Sequence, residues 1–151
     1  MGAERGQSTV PIHRRRPVSL LYMLDTNIVS ELARNPRGAV MQRIAEVGPD
    51  MICVSIITAA ELRYGCARKG SPRLLAQIEA ILGSVRVMPL DVPSGTEYGG
   101  IRAELEAAGK PIGPNDLFIA AHAYTLGAVL VTANIGEFSR IRALQIENWL
   151  M

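Results

Sequence analysis

The feature that most constrains this chain is an alternation. Short, nearly all-apolar runs rich in Val, Ile and Leu are separated by longer amphipathic stretches. The short runs predict strands over 18–24, 51–57, 85–90 and 128–132, with a last edge strand over 144–149. The longer ones predict helices over 28–34, 40–46, 58–69, 73–82, 93–108 and 115–126, with a helical turn near 137–140. Punctuation agrees: Asn35-Pro36, Gly70, Gly109 and Gly127 stand where helices should stop, and Ser71-Pro72 where one should start. Strands joined by helices run parallel with right-handed crossovers, so their carboxyl ends collect along one side of the sheet. In such α/β folds that side carries the site.

The 151 residues suffice for one domain and one site. With 48% hydrophobic and 20% charged residues the composition is globular. There is no run of eighteen apolar residues, and an Arg triplet stands where a secretory signal would need its cleavage site, so the expectation is a soluble, cytoplasmic protein without membrane contact. Cys53 and Cys66 form neither a disulfide framework nor a zinc knuckle. Residues 1–17 lack apolar periodicity and are expected to be a disordered basic tail, with the domain at 18–151 and a possible natural start at or near Met23. The net charge of +2 divides unevenly. Residues 1–22 carry four arginines against Glu4, a net of +3, while 23–151 carry 12 basic and 13 acidic side chains, a net of −1. The body is therefore no basic slab, and a nucleic-acid grip must come from local cations or from a metal held by carboxylates. Arg34, Arg37, Arg63, Arg68 and Lys69 are the candidates by position. The few aromatics show no paired stacking platform, which favours recognition of RNA shape and backbone over base stacking.

Asp25, Glu61, Asp116 and Asn134 each fall just past a predicted strand end or near a helix start. A parallel sheet can therefore bring them together although up to 109 positions (134 minus 25) separate them. Three carboxylates in one cleft repel one another, and the usual remedy is a hard divalent cation with oxygen ligands, Mg²⁺ or Mn²⁺ in its place. Each residue also has a local reading: Asp25 as an N-cap, Thr58 with Glu61 as a capping box, Asp116 as an anion in a helix first turn, Asn134 as a turn residue. His122, six residues after Asp116, lies some 240° round the helix at about 100° per residue and is expected to be a packed, hydrogen-bonded histidine.

The segments MLDTNIVSEL (23–32), VSIITAAELRYG (54–65), IRAELEAAGKPIGPNDLFIAAHA (101–123), LVTANIGEF (130–138) and IENWL (146–150) resemble the PIN-domain toxins of the VapC family, in the same order and from about residue 20 onward. The resemblance implies a PIN-like parallel sheet sandwiched by helices and a metal-dependent ribonuclease, the toxin half of a toxin–antitoxin pair, that usually dimerises. It implies that Asp25, Glu61 and Asp116 are metal ligands. At Asn134 the sequence departs from the four-acid version of the motif and carries one charge fewer. The implied partner is a VapB-like antitoxin whose C-terminal segment blocks the acidic cleft; Ile28, Val29 and Leu32 offer either a hydrophobic landing groove for it or simply core.

On these grounds the expected chemistry is cleavage of RNA phosphodiesters by a metal-activated water. Asp25 and Asp116 would bind Mg²⁺, with Mn²⁺ able to substitute. Glu61 would act directly or through water, Asn134 would orient water or phosphate, and Thr26, Thr132 and Asn115 would donate hydrogen bonds nearby. The alternative is a non-catalytic PIN-like protein that works with a DNA-binding antitoxin in operator repression. A phosphatase with an acidic Mg²⁺ site ranks lower, because Asn27 stands where the second aspartate would be, and no Gly-rich phosphate loop is present.

Overall fold

The computed structural model describes residues 20–150; the expected tail over 1–17 and the first two residues of the predicted strand at 18–24 lie outside that span. Among the described residues five strands form one sheet, in the order β3-β2-β1-β4-β5 and parallel throughout. These are β1 (Tyr22–Leu24), β2 (Ile52–Ser55), β3 (Arg86–Met88), β4 (Val129–Val131) and β5 (Ile146–Glu147). The helices are α1 (Thr26–Arg34), α2 (Ala39–Val47), α3 (Ile56–Lys69), α4 (Pro72–Ser84), α5 (Val92–Ala107), α6 (Pro114–Leu126) and the single turn α7 (Ile135–Phe138).

The inner strands β1, β2 and β4 read as nearly unbroken apolar runs because both faces of the sheet are covered there. Successive side chains alternate between two cores. Leu24, Ile52, Val54 and Val131 pack with Ile28, Val29, Leu62, Ile78 and Trp149 from the α1–α4 side and the C-terminus. Met23, Cys53 and Leu130 pack with Leu105, Leu117, Ala120 and Phe138 from the α5–α6 side. The helices close as their punctuation predicts: Gly70 and Gly127 adopt φ of 63° and 66° at the ends of α3 and α6, a left-handed conformation that glycine takes without steric cost.

Two expectations are corrected here. The helix expected from 58 begins two residues earlier, at Ile56, because the Ser55 Oγ accepts from the Ile57 N–H at 3.0 Å and supplies the cap. Thr58 is thus inside the helix and fully buried, so Thr58 and Glu61 form no capping box and the Glu61 carboxylate is left for other partners. Ile28, Val29 and Leu32 are at most 5% exposed and belong to the core; the amphipathic face of α1 is spent on the sheet and is no landing groove.

Candidate active site

Asp25 follows the last residue of β1, and its N–H donates to the Val131 carbonyl at 2.8 Å, extending the β1–β4 pairing by one residue. Its side chain is 3% exposed. Oδ1 accepts from the Thr26 N–H at 2.8 Å, and Oδ2 accepts from the Thr132 hydroxyl at 2.8 Å. Asp25 therefore does cap α1, and the same carboxylate faces the cleft; the local and functional readings hold together. Burial pushes this carboxyl above its ordinary range, the bonds from Thr132 and Thr26 pull it back, and the charge of Glu61 adds to the upward push.

Glu61 stands on α3, one and a half turns in from the cap. Its Oε1 accepts from the Thr26 hydroxyl at 2.7 Å and its Oε2 from the Asn115 amide at 3.0 Å. Both oxygens are thereby fixed by residues in the first turns of two other helices. Asp116 sits in the first turn of α6, after Pro114. Its carboxyl is pushed up to about 6, first by burial, then by the charges of Asp25, Glu137 and Glu61 and by a hydrogen bond shared with Glu137. That rise occurs at a helix N-terminus, where the dipole favours the anion, so burial together with the crowding of carboxylates outweighs the dipole.

Asn134 precedes α7; its N–H donates to the Thr132 hydroxyl at 2.9 Å and its amide to Glu137 Oε1 at 3.1 Å. The Thr132 hydroxyl thus joins two sheet-end loops, giving its proton to Asp25 and accepting from Asn134. Asn27 ties the same loops, accepting from the Ala133 N–H at 3.1 Å. All four residues expected at the site line one open cleft of about 680 Å³, together with Thr26, Asn27, Ser30, Arg34, Tyr64 and Asn115. Among the described residues no three His, Cys, Asp or Glu side chains stand close enough to grip a metal ion directly.

Sequence reasoning missed Glu137. It was read only as part of a helical turn, yet its carboxyl lies against Asp116 and takes the Asn134 amide. An acid three residues after Asn134 at the start of a helix was the available signal. Of the cationic candidates, Arg34 lines the cleft, pairing with Glu31 at 2.9 Å but 65% exposed. Arg63 is engaged by both oxygens of Glu79 at 2.7 and 3.0 Å. Lys69 lines a second groove of about 190 Å³ that adjoins the cleft at Thr26, Ser30, Arg34 and Glu61 and has Leu62, Leu74 and Ile78 in its wall. Arg37 and Arg68 are exposed and line neither. His122 is 1% exposed, with its Nδ1 2.8 Å from the Ser55 Oγ, and packs away from the cleft.

The PIN domain model matches residues 22–144. Ribonuclease VapC2 of Haemophilus influenzae is 42% identical over 132 residues, covering 87% of this chain and 99% of its own. The tRNA(fMet)-specific endonuclease VapC of Shigella flexneri is 39% identical over 131 residues, covering 86% and 98%. A chain in the crystal structure of DNA-bound VapBC from Salmonella typhimurium superposes with a TM-score of 0.81 at 38% identity, over 86% of this chain and 98% of that one. The same likeness extends to a VapBC2 structure from Rickettsia felis bound to a promoter DNA fragment, with a TM-score of 0.81 at 34% identity. A domain match over most of the chain, and relatives aligned nearly end to end, make this protein a member of the PIN-domain family, in its VapC group.

Proposed function

We propose that this protein is a VapC-type toxin, an endoribonuclease that hydrolyses RNA phosphodiesters at the cleft formed by Asp25, Glu61, Asp116 and Asn134. One observation carries the reading: four side chains from four separate loops and helices line a single cleft, where burial first, and then the charges of Asp25, Glu137 and Glu61, push the Asp116 carboxyl up to about 6. No cation among the described residues pairs with Asp25 or Asp116. A cluster with that much unrelieved repulsion fits a hard divalent cation, Mg²⁺ or Mn²⁺, and an all-oxygen donor set suits it. Mg²⁺ keeps much of its water shell and takes only one or two carboxylates, so Asp25, Asp116 and Glu61 would share it, with Glu61 acting directly or through water.

When bound, such an ion would neutralise charge on the phosphate and make a water more acidic. The chain's own contribution is positional. Thr132 and the Thr26 N–H hold the Asp25 carboxylate in one orientation. Thr26 and Asn115 fix Glu61, whose oxygens each keep a lone pair able to accept the proton of an attacking water. Asn134 keeps Glu137 beside Asp116. Arg34, exposed at the rim, meets the phosphate backbone.

The antitoxin belongs to the same reading. The groove walled by Leu62, Leu74 and Ile78, with Lys69 and Arg34 at its edge, opens beside Glu61. A segment lying there could place an arginine on the cleft carboxylates with bidentate contacts. Self-association as a homodimer and action in the cytoplasm complete the reading; among the described residues no helix is long and apolar enough to cross a membrane.

Asp25→Asn and Asp116→Asn are isosteric and should each lower cleavage of RNA in Mg²⁺ by about 100-fold or more while leaving the fold intact by circular dichroism. Wild-type rates in either variant would refute the assignment. A second reading, repression of an operator through a DNA-binding antitoxin, gains from the two DNA-bound VapBC neighbours. It predicts that Asp116→Asn leaves the only activity, DNA retention of the complex, unchanged and that the wild type cuts nothing.

A further inference from the structure

We propose that Tyr64 is a stacking platform for an unpaired nucleobase beside the phosphate being cut, so that this residue sets a base requirement at the cleavage site. The proposal rests on the ribonuclease reading above and adds to it the recognition element that the sequence alone did not reveal.

Most of the described aromatics are committed to packing. Tyr22 meets Trp149 with ring centroids 5.5 Å apart, Tyr98 stacks on Phe118 at 4.4 Å, and Phe138 is fully buried. Tyr64 and Tyr124 remain, at 66% and 39% exposure. Tyr124 lies eight residues after Asp116 on α6, about 12 Å along the helix and away from the cleft. Tyr64 lies three residues after Glu61 on α3, the spacing that puts two side chains on one helix face, and it lines the acidic cleft.

An aromatic ring two-thirds exposed to water buries little of its surface in the core. Set beside carboxylates, it has one use for a polyanion: a flat apolar face that any nucleobase can cover. Ser30, Arg34 and Asn115 line the same cleft and supply a hydroxyl, a guanidinium and an amide to the adjoining sugar and phosphate. A base inside a duplex keeps its faces covered by its neighbours and cannot use the ring, so the platform selects a loop or single-stranded segment. Tyr64 lines the carboxylate cleft and not the adjoining groove walled by Leu62, Leu74 and Ile78, which separates it from the seat argued for an antitoxin.

The test is kinetic. Transfer-RNA transcripts are used to map a cut in Mg²⁺, and a hairpin spanning that cut is then made with the intact base or an abasic residue at each flanking position. Tyr64→Ala should raise KM about 10-fold with kcat and melting temperature little changed, while Tyr64→Phe and Tyr64→Trp stay near wild type. One abasic position should cost the wild type the same factor and cost Tyr64→Ala nothing more. An unchanged KM in Tyr64→Ala overturns the proposal, including the case where only neutralisation by co-produced antitoxin weakens and the ring is a protein anchor. So does a Phe variant as impaired as Ala, which would assign the effect to the hydroxyl. If the wild type cuts no RNA, or Asp116→Asn cuts as fast, the ribonuclease reading itself fails and takes this one with it. Cleavage that depends on Asp116 but not on Tyr64 removes the platform alone.

Discussion

Two charged clusters in this molecule are built in opposite ways. At the edge of the sheet, Arg43 reaches Glu46 at 3.2 Å and Glu147 at 3.4 Å, lies 5.1 Å from the centre of the Trp149 ring, and Trp149 Nε1 donates to Glu147 at 2.9 Å. Each charge there has an opposite neighbour, and the buried indole anchors the C-terminus to the core. In the cleft, Asp25, Asp116 and Glu61 stand with hydroxyls and amides between them and Glu137 lies against Asp116; burial and these neighbouring charges push the Asp116 carboxyl up to about 6. The first cluster pairs opposite charges within the chain. The second is at odds with folding, and on the proposed function a cation or a cationic partner would complete it. Such opposed environments separate groups that hold a structure together from groups that do chemistry.

The contrast can be broken from either end. The largest effect on stability should come from Trp149→Ala, which removes a fully buried indole together with its contacts to Arg43 and Tyr22: about 3 kcal/mol or more, read by denaturant unfolding, with no specific effect on cleavage beyond the loss of folded protein. Next, Thr132→Val keeps the volume but deprives Asp25 Oδ2 and the Asn134 N–H of their shared partner in a fully buried position. The expected cost is about 1–3 kcal/mol in unfolding and about a tenfold loss in kcat. A loss of stability without a loss of kcat would sever Thr132 from the site. At the small end, Glu79→Gln breaks the Arg63 pair on a solvated helix face and should leave the melting temperature unchanged within error, since exposed pairs contribute little.

Much of this was legible beforehand because it depends on local pattern. Strand and helix order, the stops at Gly70 and Gly127, and the meeting of Asp25, Glu61, Asp116 and Asn134 follow from apolar periodicity and from where a parallel sheet must put its strand ends. What was not legible depends on distant contacts. Thr58 and Glu61 match a capping box as strings, but burial of Thr58 and the Ser55 hydroxyl decide where α3 starts. The amphipathic face of α1 has the same spacing whether it meets a sheet or a partner, so only the packed core shows that Ile28, Val29 and Leu32 are inside. Glu137 reaches Asp116 across two segments that no spacing rule links. Tyr64 resembles a core tyrosine until its exposure is seen.

Linkage offers the most direct test of the unbalanced cleft. Because Asp116 in the folded protein titrates near 6, above the 3.8 of an unstrained aspartate, the unfolded chain binds fewer protons between those values and stability falls as pH rises through that window. Above it the ionised carboxylate is a burden, of order 1 kcal/mol after allowance for its partial exposure, which the proposed cation would relieve. The decisive measurement is the melting temperature of wild type and Asp116→Asn at pH 7.5, without and with Mg²⁺. The account predicts that the metal-free variant melts a few degrees above the metal-free wild type, and that Mg²⁺ raises the wild type while leaving the variant nearly unmoved. Equal melting temperatures without metal, together with equal responses to Mg²⁺, would contradict it.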